Sequence, residues 1–538
     1  MTTFDKSHSF SQQQLIQLNP DNYKNLIDVF EESCQLYQNK AAYNCFGQTL
    51  SFADVEQASR NFAAYLSNEI GLKKGDRIAI QLPNINQYPI VAWGALRAGL
   101  ILVNTNPLYT ARELIHQFND AQVKAVVVLS DLLPMIEGII EYTSIETVIA
   151  TNALDFVQAT PITNSPLTNL ISLVDALKKG KDSALPKVEL TMEDVAVLQY
   201  TGGTTGVAKG AVLTHGSLFA SNKMSATLMD DEEPDDREDI VISPMPLYHV
   251  YGFTVNVVGV FINGGLSILI PDPRDIGSML ATMKQFPFSG LAGVNTLFVS
   301  MLNHPDFDSV DFSNMKGVIS GGAALVEEIA TEWLERTGSE IFEGYGLSET
   351  ASALSCNTPG NRQLGTVGKI MKHMEIKVID AQGAEVSTGR EGELLVRGPH
   401  IMQGYWQRKE ATEEVLDNDG WFKTGDVVVL QSDGFLKIVD RLKDMVLVSG
   451  FNVYPNEIEA VVYGHPDILE CAVIGIPNES SGEAVKLFVA SSNPSLTEAE
   501  LKAYCRENLT GYKVPKFYEF RDALPKSNVG KILRKELR

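Results

Sequence analysis

Basic residues are scarce in this chain: Lys and Arg total 44 against 67 Asp and Glu, a formal net charge of −23. General nucleic-acid binding needs a basic footprint, and broad adhesion to anionic lipid needs basic patches; the balance here disfavours both. Cysteine is scarce too. The five present (Cys34, Cys45, Cys356, Cys471 and Cys505) are scattered and form no C-x-x-C. Such a set fits free thiols in a reducing compartment and excludes a disulfide framework. Eight dispersed histidines offer no metal-ligand spacing. The polar opening MTTFDKSHSFSQQQ has no apolar core, so no signal peptide is expected and the expected compartment is the cytoplasm. Residues 240–271 carry no Asp, Glu, Lys or Arg, but Pro244, Pro246, Asn256, Asn263, Gly264 and Gly265 interrupt them. A buried strand, helix and strand explain that stretch better than a membrane span.

What remains is an ordinary globular composition, 44% apolar and 21% charged, in a chain of 538 residues. That is too long for one core and implies two or more domains. Strand and helix alternate early. Ser51 and Asp54 form a capping box before Val55, Ala58, Phe62 and Leu66 at helical spacing. A strand at 77–82, a helix at 87–98 and a strand at 100–104 follow. A second capped helix starts at Thr110 with Glu113, ahead of a strand at 125–129. The strands are apolar on both faces, the mark of a parallel sheet covered by helices. Residues 150–190 read as looser, and the acidic run 230–239 as a solvated loop. A second block has strands at 240–243, 266–270 and 316–320 and helices at 250–262, 276–285 and 325–336. From Glu375 short strands dominate, including a hairpin of 427–430 with 435–439 turned by Ser432-Asp433-Gly434. After Asp440 the pattern is α+β, with helices at 455–463 and from Thr497 and strands at 470–474 and 484–490. The expected architecture is an α/β chain. A large N-terminal domain (1–440) holds two α/β subdomains and a small β-rich one, and a small mobile α+β domain (441–538) follows.

Residues 200–215, YTGGTTGVAKGAVLTH, carry the strongest chemical signal. Gly202, Gly203 and Gly206 free the backbone to approach a ligand. Thr201, Thr204 and Thr205 add hydroxyls, and Lys209 adds a cation. Successive amides in such a loop form an anion-binding concavity suited to a nucleotide polyphosphate. It is not a Walker A loop, because Lys209 follows Ala208 and precedes Gly210.

This loop resembles the phosphate-binding signature of the adenylate-forming superfamily of acyl-CoA synthetases, peptide-synthetase adenylation domains and luciferases. Other stretches match in order: Pro246-Leu247-Tyr248-His249, the run Gly344-Tyr345-Gly346-Leu347-Ser348-Glu349-Thr350, WFKTGD at 421–426, Asp440-Arg441-Leu442-Lys443-Asp444, and PKSNVGK at 525–531. Together they span almost the whole chain. Segments 448–459 (VSGFNVYPNEIE) and 509–517 (LTGYKVPKF) resemble most closely the bacterial long-chain fatty acyl-CoA synthetases.

The resemblance implies ligation of a long-chain fatty acid to coenzyme A with ATP and Mg²⁺, through an acyl-adenylate. It implies that the loop from Thr201 to Lys209 holds the phosphates and that Glu349 ligates Mg²⁺, with the Thr201 hydroxyl as a second ligand. Gly344, Tyr345 and Gly346 would flank the adenine beside Ser348. Asp426 would take the ribose hydroxyls and Arg441 the ribose or phosphate. Lys531 would bridge carboxylate and α-phosphate as charge develops, with His249 beside them. Ser449, Gly450 and Phe451 would line the pantetheine path, and Lys443 would be the hinge between the two half-reactions. Taken alone, Glu349 is an ordinary exposed acid, Asp426 a turn aspartate, Lys531 one lysine of a basic tail and His249 a structural histidine. The helix after His249 suits an alkyl chain and plain core equally.

The partners implied are small molecules, with no nucleic acid. A homodimer is expected by resemblance alone. A substrate that partitions into lipid makes peripheral contact with the inner face of the membrane an expectation, although no amphipathic helix demands it. A fatty acyl-AMP ligase that loads a carrier protein is an alternative disfavoured by the 448–459 match. A catalytically idle fatty-acid-binding protein predicts loss of Lys531, Glu349 or the loop, and all are present. Nothing favours a luciferase-like monooxygenase.

Overall fold

Nearly continuous apolar runs, too short for helices, build the first sheet of the computed structural model. The structure describes residues 23–158, 162, 165–185, 187–201, 208–226, 238–478, 481–527 and 530–538. Seven strands lie in the order Leu170–Ser172, Thr147–Thr151, Val123–Leu129, Arg77–Gln81, Ile101–Asn104, Val195–Thr201 and Lys209–Thr214. All neighbours are parallel except the last pair, which is antiparallel with Thr201 opposite Lys209. The helices Phe52–Ala64 and Ala111–Ala121 begin in the capping boxes read from Ser51–Asp54 and Thr110–Glu113.

The second sheet has nine strands. Its parallel centre is Ile341–Leu347, Gly317–Gly321, Gly290–Gly293, Ile240–Ser243 and Leu266–Leu269. Beyond Leu266–Leu269 lie Ala41–Cys45 and Gln48–Ser51. These two strands lie in a stretch, 41–51, for which the sequence pattern suggested no strand. Ala41–Cys45 is buried along nearly all its length, so it shows no alternation, and a pairing with residues some 220 positions away leaves no local trace.

Two other expectations are corrected. The region 150–190 is not all loop: it contributes the strand Leu170–Ser172 and the helix Leu173–Lys181, whose start Ser172 caps by accepting from Asp175 N. The Ser-x-x-Asp signature was there to be read. The helix expected at 250–262 is composite, with a π-helical segment Phe253–Gly259 between short α turns. Such segments recur at functional sites. Its start is pinned by close approach, since a Cβ on Gly252 would lie 2.2 Å from the Pro246 carbonyl oxygen. The turn that carries His249 is thereby packed onto the helix it begins. Most of the acidic run, 230–237, lies outside the described residues.

A four-stranded antiparallel sheet, Glu375–Ile379, Glu391–Arg397, Phe422–Leu430 and Leu436–Arg441, is the β-rich unit. The last sheet holds Phe451–Val453, Val446–Val448, Gly482–Ser491 and Ile468–Asn478, with Phe517–Phe520 added parallel to Gly482–Ser491. Among the described residues, no apolar cluster crosses Arg441. The buried residues of one run from Leu26 to Leu436, those of two others lie between Ala79 and Ile341, and those of the last two all lie from Val446 onward. No helix is long and apolar enough to cross a membrane among the described residues.

Candidate active site

The carboxyl ends of parallel strands are where open α/β sheets present ligand-binding groups. Here the ends of Val195–Thr201, Gly317–Gly321 and Ile341–Leu347 open into one cavity of about 2830 Å³. Thr201, Lys209, His249, Glu349, Asp426, Arg441 and Lys531 all line it. So do Gly344, Tyr345, Gly346, Ser348 and Lys443. Residues far apart in sequence therefore converge on one space. Gly202, Gly203, Thr204, Thr205 and Gly206 lie outside the described residues. What is described is the base of their loop: the ladder sets Thr201 against Lys209, and His116 Nε2 sits 2.9 Å from the Ala208 carbonyl oxygen.

Strain marks the turn at 346–352. After Glu349 the chain takes positive φ at Ala351 (50°) and Ser352 (105°), and a Cβ on Gly346 would collide with the Ser352 carbonyl oxygen. Such conformations persist where the surroundings over-determine them. Here Thr350 Oγ1 accepts from Leu347 N at 3.0 Å and Met402 N donates to the Glu349 carbonyl at 2.8 Å. Glu349 Oε1 accepts the Tyr405 hydroxyl at 2.8 Å, and Lys209 Nζ lies 5.0 Å above the Tyr405 ring. Tyr405 thus joins the candidate metal ligand to the loop's cation.

Asp426 is almost wholly buried. It accepts the Tyr345 hydroxyl and faces Arg441 Nε at 3.0 Å. A carboxylate has about four acceptor positions, so two remain for a pair of vicinal hydroxyls. The strand register explains the pairing, since Asp426 lies directly opposite Arg441.

His249 caps the helix after it, Nδ1 accepting from Tyr251 N at 3.3 Å. Burial, and then the Lys531 charge, push the imidazole down to about 4. The ring is neutral at pH 7, so with Nδ1 accepting, Nε2 carries the proton. Nε2 is therefore available as a hydrogen-bond donor.

Lys531 sits on a tight return. Ser527 N donates to the Lys531 carbonyl at 2.6 Å, and Thr296 Oγ1 donates to the Gly530 carbonyl at 3.4 Å. Gly530 has φ +77°, and a Cβ there would lie 2.5 Å from Thr296 Oγ1, so glycine is needed for the approach. The side chain is exposed to the cavity yet ringed by protein. Burial of that kind, and then the neighbouring Arg441 cation, lower the ammonium to about 8.

The structure does not bring every expected residue to this cavity. Ser449 and Gly450 form the tip of the hairpin Val446–Val448 with Phe451–Val453. Both have positive φ (51° and 86°), the signature of a two-residue mirror-image turn. They and Phe451 are exposed, and none lines the cavity that holds Lys531. Lys443 lies in the exposed turn between them and Arg441.

Sequence reasoning missed several residues. Tyr405 and His116 had no motif to announce them. Glu343, directly before Gly344, is a buried carboxyl lining the cavity; burial pushes it up to about 7, although Leu325 N donates to it at 3.0 Å. Arg534 lay in what read as a solvated basic tail. It is mostly buried and paired with Glu459, Asp440 and Asp444.

Candidate nucleotide- and metal-binding side chains from three sheets around one cleft, with a lysine supplied from the terminal unit, fit an enzyme that activates acids with a nucleotide. The chain belongs to the AMP-binding enzyme family: that family matches residues 30–406, and its C-terminal domain matches 457–531. A long-chain-fatty-acid–CoA ligase of Escherichia coli O157:H7 is 46% identical over 97% of this chain and 95% of its own. The ligase of the same description from Bacillus subtilis strain 168 is 36% identical over 96% and 94%. Among solved structures, an anthranilate CoA ligase in complex with anthranoyl-AMP superimposes with a TM-score of 0.85 at 25% identity, covering 96% of this chain and 97% of its own. ATP-bound MatB from Rhodopseudomonas palustris gives 0.83 at 28%, covering 96% and 98%.

Proposed function

We propose that this chain is a long-chain fatty acid–CoA ligase that works through an acyl-adenylate. The observation that carries it is the likeness to curated ligases of that description along 97% of the chain, and the cavity holds the residues such chemistry needs. A carboxylate oxygen attacks the α-phosphorus of ATP, the bond to the bridging oxygen breaks, and pyrophosphate leaves. The sulfur of coenzyme A then attacks the acyl carbon, the carbon–oxygen bond to AMP breaks, and the thiol proton is lost.

Lys531 holds a positive charge below about pH 8 and stabilises charge developing between the carboxylate and the α-phosphate. His249 donates from Nε2 to the same oxygens. Asp426 accepts the ribose hydroxyls while Arg441 and Tyr345 fix its orientation. Thr201 and Lys209 flank the phosphate loop. Among the described residues, no cluster of three or more metal-ligating side chains exists. Mg²⁺ binds through one or two protein oxygens and the substrate phosphates. Glu349 keeps an oxygen that Tyr405 does not use, and the Thr201 hydroxyl is a weak tether at 3.5 Å from the Lys209 carbonyl, so both fit the ion. When bound, Mg²⁺ neutralises phosphate charge. The apolar helix residues Val255 and Val260 line the same cavity and suit an alkyl chain, each buried CH₂ contributing about 0.8 kcal/mol.

The division falls in the 442–444 turn and not at 440/441, because the strand Leu436–Arg441 keeps Arg441 in the sheet of Asp426, and the terminal unit turns about Lys443 to exchange Lys531 for the Ser449–Gly450–Phe451 tip. That the apolar clusters of the described residues lie on one side of Arg441 or the other supports this. The test is mass-spectrometric detection of acyl-CoA from ATP, Mg²⁺, CoA and fatty acids of two to eighteen carbons. Long-chain acyl-CoA that is lost in Lys531→Ala is the expected result. Pyrophosphate release without acyl-CoA points to carrier loading, and no pyrophosphate with any acid sinks the assignment.

A further inference from the structure

Arg534 has all its donors engaged. Nε and one terminal nitrogen fork onto Glu459 at 3.1 and 2.7 Å, and that terminal nitrogen also reaches Asn456 Oδ1 at 2.6 Å. The other terminal nitrogen reaches Asp440 at 3.3 Å and Asp444 at 3.4 Å. Asp444 also pairs with Arg538 at 2.7 Å. Asp440 in turn accepts from Arg441 N and Asn456 N, both at 2.7 Å.

The partners stand on opposite sides of the 442–444 turn. Asp440 is on the strand Leu436–Arg441, part of the four-stranded sheet that carries Asp426. Glu459 and Asn456 are on the helix Pro455–Tyr463 of the terminal unit. The guanidinium is thus a clamp across the turn. Buried ion clusters are poor sources of net stability compared with apolar packing, so a cluster placed here points to control of geometry. Its position in sequence says which geometry: Arg534 is three residues beyond Lys531.

We propose that Arg534 is the positioning residue that holds Lys531 in its adenylate-forming pose, by locking the terminal segment to Asp440 across the turn. The proposal rests on the ligase reading above. A rotation about Lys443 leaves the Arg534–Glu459 fork intact, since both residues travel together, and must break Arg534–Asp440. The clamp therefore acts on the first half-reaction and not on the second.

The test separates the two half-reactions in the full-length enzyme. Acyl-AMP formation is followed as pyrophosphate release from palmitate and ATP. Thioester formation is followed in single turnovers with synthetic palmitoyl-AMP and CoA. Asp440→Asn keeps shape and acceptor oxygen but loses charge; it is expected to slow adenylation roughly tenfold, the scale of one charge-assisted hydrogen bond. Arg534→Met is expected to slow it more, and Arg534→Lys to recover part of the loss, because a point charge cannot serve Glu459 and Asp440 together. Thioester formation is expected to stay within about threefold of wild type in all three, a scale below that of one such bond, which also reports that they fold. The double variant Asp440→Asn/Arg534→Met should be no slower than Arg534→Met alone. Equal loss in both half-reactions assigns the cluster a merely structural role and overturns the proposal. So does loss in thioester formation alone, or no loss at all. Wild-type protein that releases no pyrophosphate fails the ligase reading itself, a result distinct from any ratio among the variants.

Discussion

The two walls of the cavity are held by different forces. The wall carrying Thr201, His249, Glu349 and Asp426 grows from β ladders backed by large apolar clusters, and its functional groups are oriented by neighbours such as Tyr405 and Tyr345. The wall carrying Lys531 has its own small apolar clusters and meets the rest through polar contacts: Thr296 with Gly530, Asn456 with Asp440, Arg534 with Asp440. Apolar interdigitation resists sliding. Hydrogen bonds can be exchanged for others at small net cost. The difference supports the proposal that the first wall stays fixed while the second is repositioned.

The sharpest way to break this contrast is Lys531→Ala. If the lysine serves one pose only, adenylation should fall by about 10²–10³, the scale of losing one preorganised charge-stabilising group. Conversion of supplied acyl-AMP to acyl-CoA should be nearly unchanged. Rapid-quench measurement of each half-reaction checks this, and parallel losses would falsify the separation of roles.

Acidity gives the next effect. The Lys531 ammonium, lowered to about 8 by enclosure and Arg441, is charged below that pH and neutral above it. The free enzyme should therefore lose kcat/KM for ATP as pH rises through about 8, roughly tenfold per unit beyond it. Bound polyphosphate favours the charged form, so the alkaline limb of kcat should lie at higher pH than that of kcat/KM. A limb that persists in Lys531→Ala excludes this lysine as its source.

On the fixed wall, Tyr405→Phe removes the hydroxyl that orients Glu349. We expect a rise of about tenfold in the Mg²⁺ concentration needed for half-maximal adenylation, one charged hydrogen bond's worth, with little change in melting temperature. Titration with Mg²⁺ at saturating ATP and fatty acid reads it directly. The smallest effect is expected on the terminal unit. Ser449 holds φ 51°, so Ser449→Gly should stabilise the hairpin tip by no more than about 1 kcal/mol, read by chemical denaturation.

Legibility divided along another line, between local and long-range interactions. The capping boxes at Ser51 and Thr110, the strand 240–243 and the helix 455–463 were visible because caps and apolar runs are local. Asp426, Glu349 and Lys531 stood out as candidates only through the resemblance, each in a motif whose neighbours are adjacent in sequence, and all three line the cavity. Tyr405 was not visible, since its role depends on a bridge between Ala211 and Tyr405. Nor was Arg534, whose carboxylate partners lie 75 to 94 positions away. The π segment at Phe253–Gly259 escaped because apolar periodicity does not distinguish π from α winding over seven residues.

By itself, the sequence determined the reaction chemistry on offer. A glycine- and threonine-rich loop with its lysine, two motif carboxylates and a terminal lysine are covalent facts that folding cannot alter. Tertiary structure alone decided which of these groups share a cavity, that His249 stands there neutral, and that Ser449 to Phe451 stand outside it. It also decided that a tail arginine spans the turn at 442–444. The physical reason is range: propensity, capping and burial pattern act over a few residues, whereas pairing across sheets and ion contacts between units depend on the closed chain.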